Sequence, residues 1–174
     1  MKKVILCLLL PLGCIGQSER FNYEIEGENL FWRKVFEVQS VPADSLQQIV
    51  KLQLSRSGVK IIGEQKGVIF GAFEKYELNR QDPTMVALMG LYEFYAKVEV
   101  NIKPEKYRVE VSDMYYDIVT SKMQLTPMRI TMSESFVKKD GTLVSNNRAL
   151  KTHEKFNEKM LSVFTLKPAS KKDW

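Results

Sequence analysis

The sequence predicts an α+β domain: a two-layer sandwich in which an antiparallel sheet carries its helices on one face, in the order β-α-β-β-β-β-α. Two observations predict it. Apolar and polar residues alternate over long stretches, above all from Tyr92 to Ile102 and from Tyr107 to Val111, which is the period of a half-buried strand. Two other stretches, 42–57 and 148–165, repeat apolar residues at helical spacing. Helices that cover one face of an antiparallel sheet leave the other to solvent, which such sheets tolerate.

The chain opens Met1-Lys2-Lys3, continues through the aliphatic run Val4 to Leu12, and then turns small and polar at Gly13-Cys14-Ile15-Gly16-Gln17. This is the three-part plan of a secretory leader, expected over residues 1–16. Its apolar run is about nine residues, roughly half of what spans a bilayer. Two processing routes fit. Cys14 and Gly16 can be the small residues before a cut at Gln17, or Leu12-Gly13-Cys14 can be a lipobox with Cys14 lipidated. Pro11 stands where a lipobox has Leu, which favours the ordinary cut. The expected location is periplasmic or secreted, with an outer-membrane lipoprotein as the alternative. Membrane attachment is expected only through the leader or a lipidated Cys14.

The mature part, about 158 residues, is the length of one domain. Both cysteines, Cys7 and Cys14, lie in the leader, so no internal disulfide is expected. The precursor carries a net charge of +5; Lys2 and Lys3 leave with the leader and no acid does, which lowers the excess to +3. That is far from the concentrated basic face of a nucleic-acid binder, and no nucleic-acid partner is expected.

In chain order, residues 17–28 are polar and read as a linker or an edge segment ahead of a single domain over 29–166. Leu30, Trp32, Phe36 and Val38 alternate with Arg33, Glu37 and Gln39 as in a strand. Pro42 opens a helix, with Ala43, Leu46, Ile49, Val50 and Leu54 as its apolar face, Asp44 near its N-terminus, Arg56 in its last turn and Gly58 beyond its end. Val59–Gly63 and Val68–Leu78 flank a hairpin turn at Glu64-Gln65-Lys66-Gly67. Residues 79–88 read as a loop. After the Lys103-Pro104-Glu105-Lys106 turn, the core face of the next strand shifts from Tyr107, Val109 and Val111 to Met114, Tyr116 and Ile118. The change of phase places a β-bulge near Ser112-Asp113. Met128, Ile130 and Met132 suggest one more strand, and Asp140-Gly141 a turn. Leu150, Phe156, Met160, Leu161 and Phe164 mark the last helix, which Pro168 terminates before a flexible tail over 167–174.

The segments Val41-Pro42-Ala43-Asp44-Ser45-Leu46, Gly58–Ile62 with Gly67–Gly71, and Lys106–Met114 resemble a family of secreted Bacteroidetes proteins that carries a domain of unknown function with a TATA-binding-protein-like fold. The resemblance covers roughly residues 30–120, and the leader is also similar to leaders of that group. It implies the β-α-β-β-β-β-α order and no activity, cofactor or site residue.

Candidate chemistry is sparse. His153 is the single histidine and, on a charged helix, is expected at the surface or its boundary. Glu110, Asp113 and Asp117 gather along one strand; two of them facing one pocket could hydrolyse a glycoside, and like charges could hold calcium, against the ordinary reading of a polar face with a bulge. Gly58, Gly63, Gly67 and Gly71 lie inside a hairpin, where they serve turns, a cap and close packing better than a phosphate loop. Lys151, Lys155 and Lys159 alternate with Glu154 and Glu158 on the last helix as i,i+4 pairs on a solvated face, with anionic-surface binding as the other use. Tyr92, Tyr95, Tyr107, Tyr115 and Tyr116 crowd the long hairpin; they are expected as cross-strand pairs, with Tyr95, Tyr115 and Tyr116 as a partner surface if they face out. No catalytic residue, metal site or cofactor is expected. The leading expectation is a non-enzymatic binding or assembly module that engages a protein, peptide or glycan of the envelope through the open sheet face. The alternative is a hydrolase acting through Glu110, Asp113 or Asp117.

Overall fold

A computed structural model describes residues 20–78, 93–118 and 128–166. The leader with Cys14, the expected loop at 79–88, Tyr92, Pro168 and the tail lie outside these residues. The elements are β1 (Tyr23–Glu26), β2 (Asn29–Glu37), α1 (Ala43–Arg56), β3 (Lys60–Gln65), β4 (Val68–Tyr76), β5 (Glu93–Lys103), β6 (Lys106–Ile118), β7 (Met128–Thr131), α2 (Met132–Phe136) and α3 (Asn147–Phe164). The strands form one antiparallel sheet in the order β1-β2-β6-β5-β4-β3. β6 is the spine. One of its edges pairs with β5, while β2 pairs with its first half and β7 with residues Tyr115 to Ile118.

The α+β sandwich is as expected, with additions before β2 and between β6 and α3. The segment read as linker or edge supplies β1, and its Phe21 and Tyr23 are buried in the core. The expected third member of a strand, Met132, instead begins α2. Thr131 caps that helix by accepting from the Glu134 amide, while the Glu134 carboxylate accepts from the Thr131 amide at 2.9 Å. This reciprocal capping box stops β7 and starts a helix at the same residue.

α1 begins beside Pro42 and ends in a Schellman motif. Gly58 N–H donates to Ser55 O at 3.3 Å and Val59 N–H to Leu54 O at 3.0 Å, with Gly58 at φ +81°. Leu46, Val50 and Leu54 are buried as expected, but Ile49 is 43% exposed. Gln53 takes the buried position instead, because its amide donates to Val163 O at 2.8 Å and Ser57 Oγ at 2.9 Å. Ser57 Oγ also donates to Val163 O, and Tyr107 Oη to Phe164 O at 2.6 Å. The last carbonyls of α3, which lack partners within the helix, are thus satisfied by α1 and the sheet.

Between sheet and helices lies one apolar core. Trp32 stacks on Phe164 at 5.6 Å, Tyr23 on Phe156 at 6.1 Å, and Phe94 meets Phe156 edge-on at 5.7 Å. Trp32 Nε1 and Asn22 Nδ2 both donate to Asn157 Oδ1, which ties α3 to the start of the sheet. Each fully buried large side chain contributes about 1.5–3 kcal/mol. His153 belongs to this core and not to the surface: it is 0% exposed, packed against Phe21, Tyr23 and Phe136, with Nε2 at 2.9 Å from Val144 O. The charged residues around it on the helix mask its orientation in the sequence; Phe156, three residues on, shows the face it shares.

The bulge expected near Ser112-Asp113 is present. Tyr95 pairs with Tyr115 but Lys97 with Ser112, so two β6 residues oppose the single Ala96, and Asp113 sits at φ +49°. The shift keeps both Val111 and Met114 in the core. The β3–β4 turn is tighter than the four residues expected, since Glu64 and Gln65 pair with Ile69 and Val68. Gly71 lies where an added Cβ would come within 2.9 Å of Val59, so it permits close strand packing. A register shift at Ile62 leaves that residue 59% exposed on the outer strand β3.

Candidate binding face

The described helices all pack on one side of the sheet. Phe94, Ala96, Val98, Val100 and Ile102 of β5 point toward them, and the alternate residues form the opposite, open face. That face is ordered by charge pairs. Arg33 in β2 is bonded to Glu24 at 2.5 Å, to Glu26, and to Glu110 at 2.7 Å, and it lies 4.3 Å from the Phe31 ring centroid. These acids hold the guanidinium in its charged form, and Arg33 in turn lowers the Glu26 pKa, chiefly by its hydrogen bond. Lys97 pairs with Asp113 at 2.7 Å, Lys60 with Glu74 at 3.0 Å, and Arg129 of β7 with Asp117 at 3.2 Å.

Tyr95 and Tyr115 stack on this face, with centroids 4.9 Å apart and planes 7° from parallel. The Arg129 guanidinium lies 3.9 Å from the Tyr115 centroid. Tyr95 Oη donates to Glu93 at 2.9 Å, and burial followed by that carboxylate pushes its pKa up to about 12. Tyr116 does not join them. The phase after the bulge turns it to the helical side, where its Oη lies 2.7 Å from Ser135 Oγ. Tyr107, also on that side, is buried. The expected partner surface therefore reduces to Tyr95 and Tyr115, and Arg129 joins it from a strand whose pairing was not legible.

Glu110, Asp113 and Asp117 are each paired with a different cation: Arg33, which Glu110 shares with Glu24 and Glu26, then Lys97 and Arg129. A groove of about 800 Å³ opens where β2 and β7 part along β6, between Asn29, Phe31, Asp113, Thr131 and Lys138. It takes in Asp113 alone of the three carboxylates. No cluster that could hold a metal occurs among the described residues. On α3, Lys155 pairs with Glu158 at 2.8 Å with i,i+3 spacing in place of the expected i,i+4, Lys151 is exposed, and Lys159 lies 5.7 Å from the Tyr76 centroid.

At the β5–β6 turn the open face changes character. A hollow of about 290 Å³ is lined by Val35, Asn101, Lys103, Lys106 and Arg108. Lys103 and Lys106 are direct cross-strand partners, as are Asn101 and Arg108. The alternation that buries Ile102 and Tyr107 already assigns these polar neighbours to the other face. Their convergence with Val35 follows only from the β2–β6 pairing.

The fold is that of a TATA-binding-protein-like α+β domain. Two solved structures from Bacteroidetes share it. A TBP-like protein from Parabacteroides distasonis matches with a TM-score of 0.53 and 10% identity, over 83% of this chain and 98% of its own. A DUF4468 family protein from Bacteroides ovatus matches with a TM-score of 0.50 and 13% identity, over 90% of this chain and 99% of its own. No family model matches the sequence, and no curated protein does. The fold implied by the sequence resemblance is thus the fold observed, and fold alone carries no activity.

Proposed function

We propose that this protein is an exported, non-enzymatic binding module that engages an envelope partner through the open face of its sheet. The observation that carries this reading is the division of the sheet. One face holds the core, and the other keeps an aromatic stack and a half-exposed Val35 that the described helices do not cover. Export rests on the leader, with Cys14 lipidation as the alternative to cleavage before Gln17. Mass spectrometry of the mature N-terminus separates free or cyclised Gln17 from acylated Cys14.

The surface reading is tested in cells by replacing Tyr95 with a photo-crosslinking residue, and Ser45 on exposed α1 as the control. Cross-linking to one envelope component from position 95 and not from position 45 is the expected result. Equal or absent labelling at the two positions refutes an open-face partner.

A further inference from the structure

The cations of the open face fall into two groups. Arg33, Lys60, Lys97 and Arg129 each have a carboxylate within bonding distance. Lys103, Lys106 and Arg108 have none among the described residues, yet they line one hollow. Acids do lie near it. Glu37 is the cross-strand partner of Lys106, Glu105 sits in the turn at φ +63°, and Glu99 is next along the face of β5. Glu99 accepts the Asn101 amide at 2.7 Å, and none of the three forms an ion pair with these cations. The hairpin also sets Lys103 directly opposite Lys106, an arrangement of like charges that destabilises a strand pair. An open face that pairs Arg33, Lys60, Lys97 and Arg129 with carboxylates leaves these three cations unpaired, among the described residues, around one hollow.

Such a site is complementary to an anion, and its donors indicate which kind. A guanidinium offers five N–H groups in a planar fork and each ammonium three. A carboxylate has two oxygens and one charge, too few for three convergent cations. A phosphate group has more oxygens and up to two charges, and charge-assisted bonds to it are the strong ones. The hollow is large enough for one such group, with Val35, 50% exposed, as the apolar wall for whatever carries it. We infer that the Val35–Arg108 hollow binds a phosphate group. This deepens the open-face reading by naming the chemistry that face recognises, and it is testable apart from the partner.

The test is a heteronuclear NMR titration of the mature protein with inorganic phosphate, with sodium chloride added to hold ionic strength constant. Saturable shifts are expected at the amides of Val35 and of residues 101–108. Arg108→Gln, and the pair Lys103→Gln with Lys106→Gln, should weaken binding about tenfold or more, the scale of a lost charge-assisted bond. Lys97→Gln, which removes a paired lysine from the same face, should leave it unchanged. Absence of saturable shifts, or equal weakening by Lys97→Gln, overturns the inference.

Sedimentation with phosphatidylglycerol vesicles then identifies the source. Binding lost in Arg108→Gln assigns the phosphate to a lipid headgroup, and no vesicle binding beside a positive titration assigns it to a soluble phosphate ester. Vesicle binding with a negative titration places membrane recognition elsewhere and overturns the site. A negative titration with position 95 still cross-linking removes only the phosphate assignment, and the reverse pattern removes only the macromolecular partner.

Discussion

The two faces of this sheet are built from the same strands and differ in nearly everything else. Toward the helices, Trp32, Phe94, Val100 and Val109 are at most 1% exposed, and Trp32 packs on Phe164 and Phe94 on Phe156. One residue along, Arg33, Tyr95, Lys97 and Arg108 face outward; Arg33 and Lys97 meet carboxylates, and Tyr95 stacks on Tyr115. Period-two alternation therefore separates the apolar core from the solvent-facing side chains residue by residue. The open face can change its chemistry at small cost to folding, while the covered face cannot.

The largest break in this contrast comes from Trp32→Ala. It removes a stacked ring and the indole donor to Asn157, and a loss of about 3–5 kcal/mol is expected in urea denaturation. A loss under about 1 kcal/mol would erase the distinction between the faces.

Acid acts on the covered face next. Burial lowers the pKa of His153 below its ordinary value of 6.5, with the Val144 hydrogen bond a smaller opposing effect, and Nδ1 has no hydrogen-bond partner. The unfolded chain therefore takes up this proton first as pH falls. His153 contributes its full stability above about pH 6.5, and this is lost progressively down to the lower folded pKa, at no more than about 1.4 kcal/mol per pH unit. Denaturation midpoints measured across that window should fall with pH in the parent chain. In His153→Leu this part of the slope should vanish.

At the bulge the expected effect is smaller. Asp113→Val forces a β-branched residue into φ +49° and should cost about 1–2 kcal/mol, whereas Asp113→Gly accepts the conformation and should cost less despite losing Lys97. Equal losses for the two variants would show that the ion pair, not the backbone, dominates there. Smallest is the aromatic stack. A double-mutant cycle over Tyr95→Ala and Tyr115→Ala should give a coupling of about 0.5–1 kcal/mol.

Much of this division was legible in the sequence. The alternation through β5 and β6 and the phase change at Asp113 assign most residues of both strands to a face, and Pro42 with Gly58 bounds α1. What was lost has physical causes. His153 looks superficial because its sequence neighbours are charged, while its burial depends on Phe21 and Tyr23, more than a hundred residues away. Thr131-x-x-Glu134 is a readable capping box, but the apolar Met132 beside it fits the strand pattern equally well. Tyr116 could be placed with Tyr95 only by ignoring the flip that the bulge itself imposes. The basic hollow lay beyond reading from sequence, because it joins Val35 to Arg108 through a strand pairing that skips seventy residues.

An outer strand carries a row of free amide and carbonyl groups on which another chain can build, and β3 is such a strand among the described residues. With Ile62 turned outward, such growth would also bury an isoleucine, the combination that favours fibrillar stacking. The register shift at Ile62 interrupts the row, so an incoming strand finds matched groups on either side of that residue but not through it. Exposed Lys60 and Glu64 flank the break with opposite charges. An irregularity of one residue thus breaks the ladder that a second strand would have to extend at this edge.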